Sequence, residues 1–293
     1  MEKNKIIICE DRGFISISGP DAKKFLQNII SNDIDKVNEF KSIYAAIFSP
    51  QGKYLYEFFV INSKNGYFLD CDNSFTKEIM SHLSKYKLSS NIEIVDLSSA
   101  FVVGIINLEK FKEIQKFEKV DSDTLIFRES VIFIDPRNHH LGARILSNLE
   151  KLYLTIKVLE LKIVDSKNYL NKAHKLGIPI KGTKNLMDKL FGLEANLEEL
   201  YAIDFKKGCY VGQENTARMK LKNKIRKRLF PIETKENHKI GSELIFNNKS
   251  VGNILIDKPY SFALIKLFDP DYDEFKNKEL LVDGKKIRII NGS

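Results

Sequence analysis

From Leu229 onward the chain is written almost entirely in short apolar runs, LFPIE, ELIF, SVGNILI, FALIKL and ELLV-DG-KKIRII, punctuated by Asn247-Asn248 and Asp283-Gly284. Both dipeptides suit a two-residue hairpin turn, because Asn, Asp and Gly accept the positive φ it requires. Runs this short and this closely spaced pair with their neighbours, so the segment predicts five or six antiparallel strands in a small barrel or sandwich.

Upstream, helical and strand patterns mix without the regular alternation of a doubly wound sheet. The first 18 residues read as a hairpin, KIIIC and FISIS around a turn at Glu10 to Gly13. Gly19, Pro20 and Asp21 then signal a helix start, with Phe25, Ile29 and Ile30 on one face of AKKFLQNII. SIYAAIFS and YLYEFFVI, joined by Pro50-Gln51-Gly52, and YFLDC after Asn65-Gly66, form an antiparallel meander. Residues 74 to 87 carry Ile79, Leu83 and Tyr86 at helical spacing, IEIV returns to strand, and FVVGII, TLIF and VIFI follow as strands. A further helix over 168 to 176 stops at Gly177 and Pro179. The class is α+β.

At 293 residues the chain exceeds one ordinary core, which predicts two or three domains. The change to a β pattern predicts a domain boundary between Met219 and Leu229. No apolar run approaches the roughly 20 residues that span a bilayer, and the first residues, MEKNKIIICEDRG, resemble neither an export signal nor a transit segment, so a cytoplasmic protein with no membrane partner is expected. Three cysteines, Cys9, Cys71 and Cys209, with no CxxC and no paired Cys/His spacing, suit a reducing compartment and argue against a closed zinc site. Cys9 and Cys71 lie in apolar strands, as inert buried thiols do. A net charge of +8 fits either a polyanionic partner or a solvated lysine-rich surface. Residues 218 to 228, RMKLKNKIRKR, concentrate seven basic groups with no acid while Met219, Leu221, Ile225 and Leu229 keep an apolar face. That run suits an anion cradle or a solvated crossing between domains.

Cys209 sits differently, in KGCYVGQE between two glycines. A thiol works as nucleophile or ligand only as thiolate, which Lys206, Lys207 and a helix beginning after Gly212 would favour. Gly208 and Gly212 would permit backbone that side chains block, and Gln213 and Glu214 would fix the loop by hydrogen bonds.

With KGCYVGQE followed by Ala217-Arg218, and with ISGPDAKKFLQNIISNDI, SPQGKYLYEFFV, SKYKLSSNIEI, DPRNHHLGAR, LGIP and EANLEELYAIDF in order before it, the chain resembles the YgfZ/GcvT-like folate-binding family over nearly its whole length. The octapeptide is similar to the signature of the YgfZ branch. The aminomethyltransferase (T-protein) of glycine cleavage is a more distant relative. The resemblance implies a three-domain ring, a two-part region of antiparallel sheets and helices over 1–222, with a meander subdomain inserted at about 43–135, plus a C-terminal β-barrel over 223–293, with tetrahydrofolate or a derivative in a central hole. It implies support of iron–sulfur cluster assembly or repair, including that of tRNA-modifying methylthiolases, with assembly proteins or client enzymes as partners and no permanently bound metal. Cys209 becomes the functional thiol, supported by Lys207, Gly208, Tyr210, Gly212, Gln213, Glu214 and Arg218. The folate contacts it implies are Glu57, Lys206, Glu194 and Asp33.

Two departures bear on catalysis. Where the T-protein branch has a meander aspartate this chain has Glu57, one methylene longer, and a 1 Å misplacement costs on the order of 100-fold in a positioned reaction. Where that branch has Arg-x-Glu-x-Gly, this chain has Ala173 and Lys175, and an ammonium cannot accept the pterin hydrogen bonds a carboxylate accepts. A folate-binding accessory protein is therefore favoured, whether or not it turns over a substrate. A folate-dependent one-carbon transferase and a basic tRNA-binding protein are the alternatives. One cysteine cannot hold a cluster alone, so an iron–sulfur role for Cys209 calls for a partner's ligands or small thiols. A redox-responsive thiol and a structural residue in a tight turn are its other roles.

Overall fold

The computed structural model describes residues 2–222 and 225–290. Asn223 and Lys224, in the basic run and at the expected domain junction, lie outside the described residues. The chain gathers into two compact units. The first takes in the chain to Ile47, Tyr56–Asn168 and Glu199–Val211, and the second Phe48–Leu55, Tyr169–Glu198 and Gly212 onward.

The first unit opens with β1 (Lys5–Cys9) and β2 (Arg12–Ser18), then α1 (Ala22–Ile29). The meander follows as β3 (Ile43–Phe48), β4 (Tyr54–Ser63) and β5 (Gly66–Asp72), then α2 (Thr76–Lys87) and β6 (Glu93–Asp96). Next come β7 (Val102–Ile106), α3 (Leu108–Glu118), β8 (Thr124–Phe127), β9 (Ser130–Ile134), β10 (Ala143–Ser147), α4 (Leu149–Val158) and β11 (Lys162–Ile163). They build a five-stranded sheet in the order β3-β4-β5-β2-β6 and a six-stranded sheet in the order β11-β1-β7-β10-β9-β8.

The expected N-terminal hairpin does not form. β1 pairs with β7 and β11, whereas β2 pairs along its whole length with β5, from Arg12 opposite Asp72 to Ser18 opposite Gly66. Gly13, read as a turn residue, lies inside β2, where an added Cβ would come 2.0 Å from Thr76 Oγ1. It is a close-approach glycine, and the two strands part into different sheets. Two helices of this unit went unpredicted, α3 and α4. Each begins with the same four residues, Asn-Leu-Glu-Lys, and in each the asparagine side chain caps the first turn, Asn107 accepting from the Lys110 N–H and Asn148 from the Lys151 N–H. Phe111, Ile114, Leu152 and Ile156 from these helices bury against Ile6, Ile106, Ile132 and Ile145 of the six-stranded sheet.

α5 (Lys167–Lys175) ends where expected, with Gly177 at φ 72°. In the second unit α6 (Gln213–Leu221) precedes β12 (Lys227–Glu233), β13 (Glu243–Phe246), β14 (Lys249–Ile256), β15 (Phe262–Lys266), the short α7 (Tyr272–Phe275), β16 (Leu280–Val282) and β17 (Lys285–Ile289). The six strands close into a barrel in the order β12-β15-β14-β13-β16-β17, which decides between barrel and sandwich. Both hairpin turns are where the sequence puts them, Asn247 and Asn248 at φ 47° and 62° and Asp283 and Gly284 at 51° and 77°. Leu244, Val251, Ile254, Ala263, Ile265 and Phe275 fill the interior. With helices, two open sheets and a closed barrel among the described residues, the fold is α+β. Among the described residues no helix is long and apolar enough to cross a membrane.

Candidate functional site

The C-terminal end of α1 leaves carbonyls without helical partners. Lys207 supplies them. Its Nζ donates to the carbonyls of Gln27 and Ile30 at 2.7 Å and of Asn32 at 2.9 Å, and it lies 5.0 Å from the centre of the Tyr210 ring. All three ammonium protons are thus used, so Lys207 serves the motif as an anchor. Burial pushes its pKa down to about 8, against the opposing pull of Asp33 and Asp204. Asp204 ties the preceding turn: Oδ1 accepts the N–H groups of Lys206 at 2.6 Å and Lys207 at 3.2 Å, and Oδ2 pairs with Lys36 at 2.5 Å. Burial works against the Asp204 carboxylate, yet Lys36 and these N–H groups hold its pKa below the usual range. On the far side of the cysteine, the Val211 N–H donates to the Asn28 carbonyl at 3.1 Å.

Cys209, between these anchors, is exposed, and so is Lys206. A Cβ on Gly208 would meet nothing within 4 Å, and its φ lies outside the left-handed region. The backbone therefore does not require glycine there, contrary to expectation. Gly208 leaves open space beside the thiol. Cys71, by contrast, is buried and its thiol is pushed up to about 12 by burial, while Cys9 is half-buried.

Val211 closes the first unit's share of the motif; Gly212, Gln213 and Glu214 belong to the second. Gly212 does need to be glycine: its φ is 81°, and a Cβ would lie 2.4 Å from the Ser49 carbonyl oxygen and 2.8 Å from Phe48 Cβ. It caps α6, and Thr216 Oγ1 bonds back to its carbonyl at 3.2 Å. Gln213 and Glu214 begin the helix and make no side-chain hydrogen bond to a described residue, so they do not fix the loop in the way expected. Arg218 is exposed further along α6.

Within the first unit a cavity of about 590 Å³ is walled by Tyr44, Asp135, Arg137, His139, Glu199 and Tyr201, with Lys36 and Lys41 also lining it. Arg137 holds Asp135 in a two-pronged pair, Nε to Oδ1 at 3.0 Å and Nη2 to Oδ2 at 2.7 Å, with both side chains buried. Burial, and then the Glu57 carboxylate to which its hydroxyl is hydrogen-bonded, push the Tyr44 pKa well up. Glu57 thus stands directly behind a wall of the cavity. Deeper, Asp70 bridges two arginines, taking Arg12 Nε on Oδ1 at 2.6 Å and Arg144 Nη2 on Oδ2 at 2.7 Å. Burial raises the Asp70 pKa, but the two guanidinium groups overcome it and the carboxyl lies below its ordinary range. The guanidinium carbons of Arg144, Arg137 and Arg12 lie 4.3, 4.8 and 5.9 Å from the centre of the Phe59 ring. Sequence reasoning missed this cluster. Its signal was the single charges interrupting apolar strands, Asp70 in YFLDC and Arg144 in ARILS.

The remaining expected contacts are distributed. Asp33 caps a turn of 3-10 helix, its Oδ1 accepting the Asp35 N–H at 3.1 Å and Gln27 Nε2 at 2.8 Å, next to Asn32 on the cavity wall. Glu194 belongs to the second unit, where it accepts the Phe191 N–H at 2.9 Å, and burial raises its pKa. Ala173 is fully buried in α5 and Lys175 exposed, so neither can supply the missing carboxylate. Among the described residues, no group of three or more His, Cys, Asp or Glu is placed to hold a metal ion.

No family model matches the chain. In sequence it is similar to mitochondrial iron-sulfur cluster assembly factor IBA57 homologues, 28% identical over 78% of this chain in Dictyostelium discoideum and 25% over 96% in Neurospora crassa. It spans 62% and 63% of those two relatives' lengths. It is also 26% identical to the tRNA-modifying protein YgfZ of Blochmanniella pennsylvanica, over 85% of this chain and 81% of that one. In fold it is similar to the glycine cleavage system aminomethyltransferase T of Bartonella henselae, with a TM-score of 0.72 over 98% of this chain and 85% of that one at 12% identity. In sequence the chain is thus similar to IBA57 and YgfZ proteins, and in fold to a GcvT-type aminomethyltransferase.

Proposed function

We propose that the chain is a tetrahydrofolate-binding accessory protein of iron–sulfur cluster assembly or repair, with Cys209 as its working thiol. One observation carries the thiol part: a cysteine fixed in an exposed position by Lys207 on one side and Val211 on the other, next to a glycine the backbone does not need. An exposed thiol held this way can meet a partner's ligands or a small thiol, and a cluster needs ligands beyond one cysteine. The name of the IBA57 relatives supports the assembly role, and the YgfZ relative is named a tRNA-modifying protein. The free cysteines suit a reducing compartment, the cytoplasm or, as in the IBA57 relatives, the mitochondrion.

The first unit's cavity is our choice for the folate. A reduced pterin with a glutamate tail asks for flat apolar walls, a carboxylate for its N–H edge and cations for the tail. Tyr44 and Tyr201, Asp123 and Glu199, and Lys36 and Lys41 are of those types, and the volume lies in the ordinary range for a small-molecule site. Bound folate would supply a one-carbon carrier. Glu57 would act through the Tyr44 hydroxyl, holding it in place, while Lys206, Glu194 and Asp33 stand outside this cavity's lining.

Titration with tetrahydrofolate, followed by assay for a methylene-folate product with a methylamine donor present, tests the reading. Saturable binding, weakened by Tyr44→Ala and unaccompanied by turnover, is expected. Product formation would favour the transferase, and absence of binding would remove the folate from the account.

A further inference from the structure

The basic run entering the barrel does more than cover a helix with solvated charge. Arg218, Lys222 and Arg226 line a second-unit cavity of about 260 Å³ together with Phe191, Met219 and Glu194. Lys53 adds its Nζ 3.8 Å from the centre of the Phe191 ring, and Lys53 and Lys227 are the cations that bear on the Glu194 carboxyl. Three cations therefore line the cavity beside one carboxylate and two more act on that carboxylate, which already accepts the Phe191 N–H. None of the five is in an ion pair with a described residue, whereas Lys220, between the cavity-lining Arg218 and Lys222, pairs with Glu198 at 2.5 Å. A favourable helix dipole accounts for cations in the last turn of α6. It does not account for Arg226, beyond the helix, or for Lys53 and Lys227, which come from other segments.

We infer that this cavity binds a phosphate group. Several like charges around a single carboxylate still repel one another, and a further anion among them relieves that repulsion. Two arginines supply planar forks that match phosphate oxygens, and lysines act as point charges beside them. The volume, that of about nine waters at roughly 30 Å³ each, leaves room for an ester substituent against Phe191 and Met219. This cavity belongs to the second unit and the folate cavity to the first, and they share no lining residue, so either can fail alone.

Calorimetric titration of the full chain with inorganic phosphate and with adenosine monophosphate, at about 50 and 200 mM salt, tests it. Saturable binding that weakens with salt is expected. Substituting two exposed cavity cations, Lys222→Ser with Arg226→Ser, should weaken it at least tenfold with an unchanged thermal midpoint, while Lys239→Ser with Lys278→Ser, exposed elsewhere in the unit, should leave it unaltered. Tighter binding of the nucleotide assigns an ester as ligand; equal binding assigns the free anion. Equal loss in both double variants, or no saturable binding of either probe, overturns the inference.

Discussion

Lys207 shows how a motif residue can serve as a structural anchor. Replacing it with methionine keeps the aliphatic stem but strips three buried carbonyls of their donor, so Lys207→Met should lower stability in urea by about 1–3 kcal/mol and should change the alkylation rate of Cys209 as its loop loosens. The two motif glycines should separate cleanly. Gly212→Ala, at φ 81° and against the Ser49 carbonyl, should cost about 1–3 kcal/mol, while Gly208→Ala should stay within about 0.5 kcal/mol in the same denaturant titration. The octapeptide and its cysteine were legible in the sequence because the spacing is unusual. The separate jobs of its residues were not, since the three carbonyls Lys207 serves lie some 180 positions upstream.

At the scale of elements, the Asp70 bridge holds β2, β5 and β10 together, with Arg12, Asp70 and Arg144 each on a different strand. Asp70→Asn leaves two buried guanidinium groups facing a neutral amide and should destabilise the fold by about 3–5 kcal/mol. The pH dependence follows from the lowered Asp70 pKa. A carboxyl whose folded value lies below its unfolded one stabilises the protein above the unfolded value, and loses that contribution as pH falls through the folded one. The thermal midpoint should accordingly drop on acidification below about pH 4, and the drop should be shallower in the asparagine variant. Elements with a local cue were readable: Asn247-Asn248 and Asp283-Gly284 mark their turns, and Gly177 ends α5. β1 and β2 were misread because Gly13 looks the same in sequence whether it turns the chain or admits Thr76, and only long-range pairing decides. α3 and α4 carried a cap signal in their shared Asn-Leu-Glu-Lys, but their apolar positions are crowded by strand-like neighbours.

For the whole molecule, the α+β class and a C-terminal β-domain were legible from strand patterning, and the relationship to YgfZ/GcvT-like proteins from the order of short segments. The barrel as against a sandwich was not, because closure depends on β12 pairing with both β15 and β17. The Ala173 and Lys175 replacements favour a helper over a transferase, and Cys209 then becomes the group on which the proposed role turns. The direct test is complementation of a strain lacking its own family member, reading the activity of a cluster-dependent tRNA methylthiolase, with circular dichroism to confirm folding. The account predicts rescue by the wild-type chain and little or none by a folded Cys209→Ala variant; full rescue by that variant would contradict it.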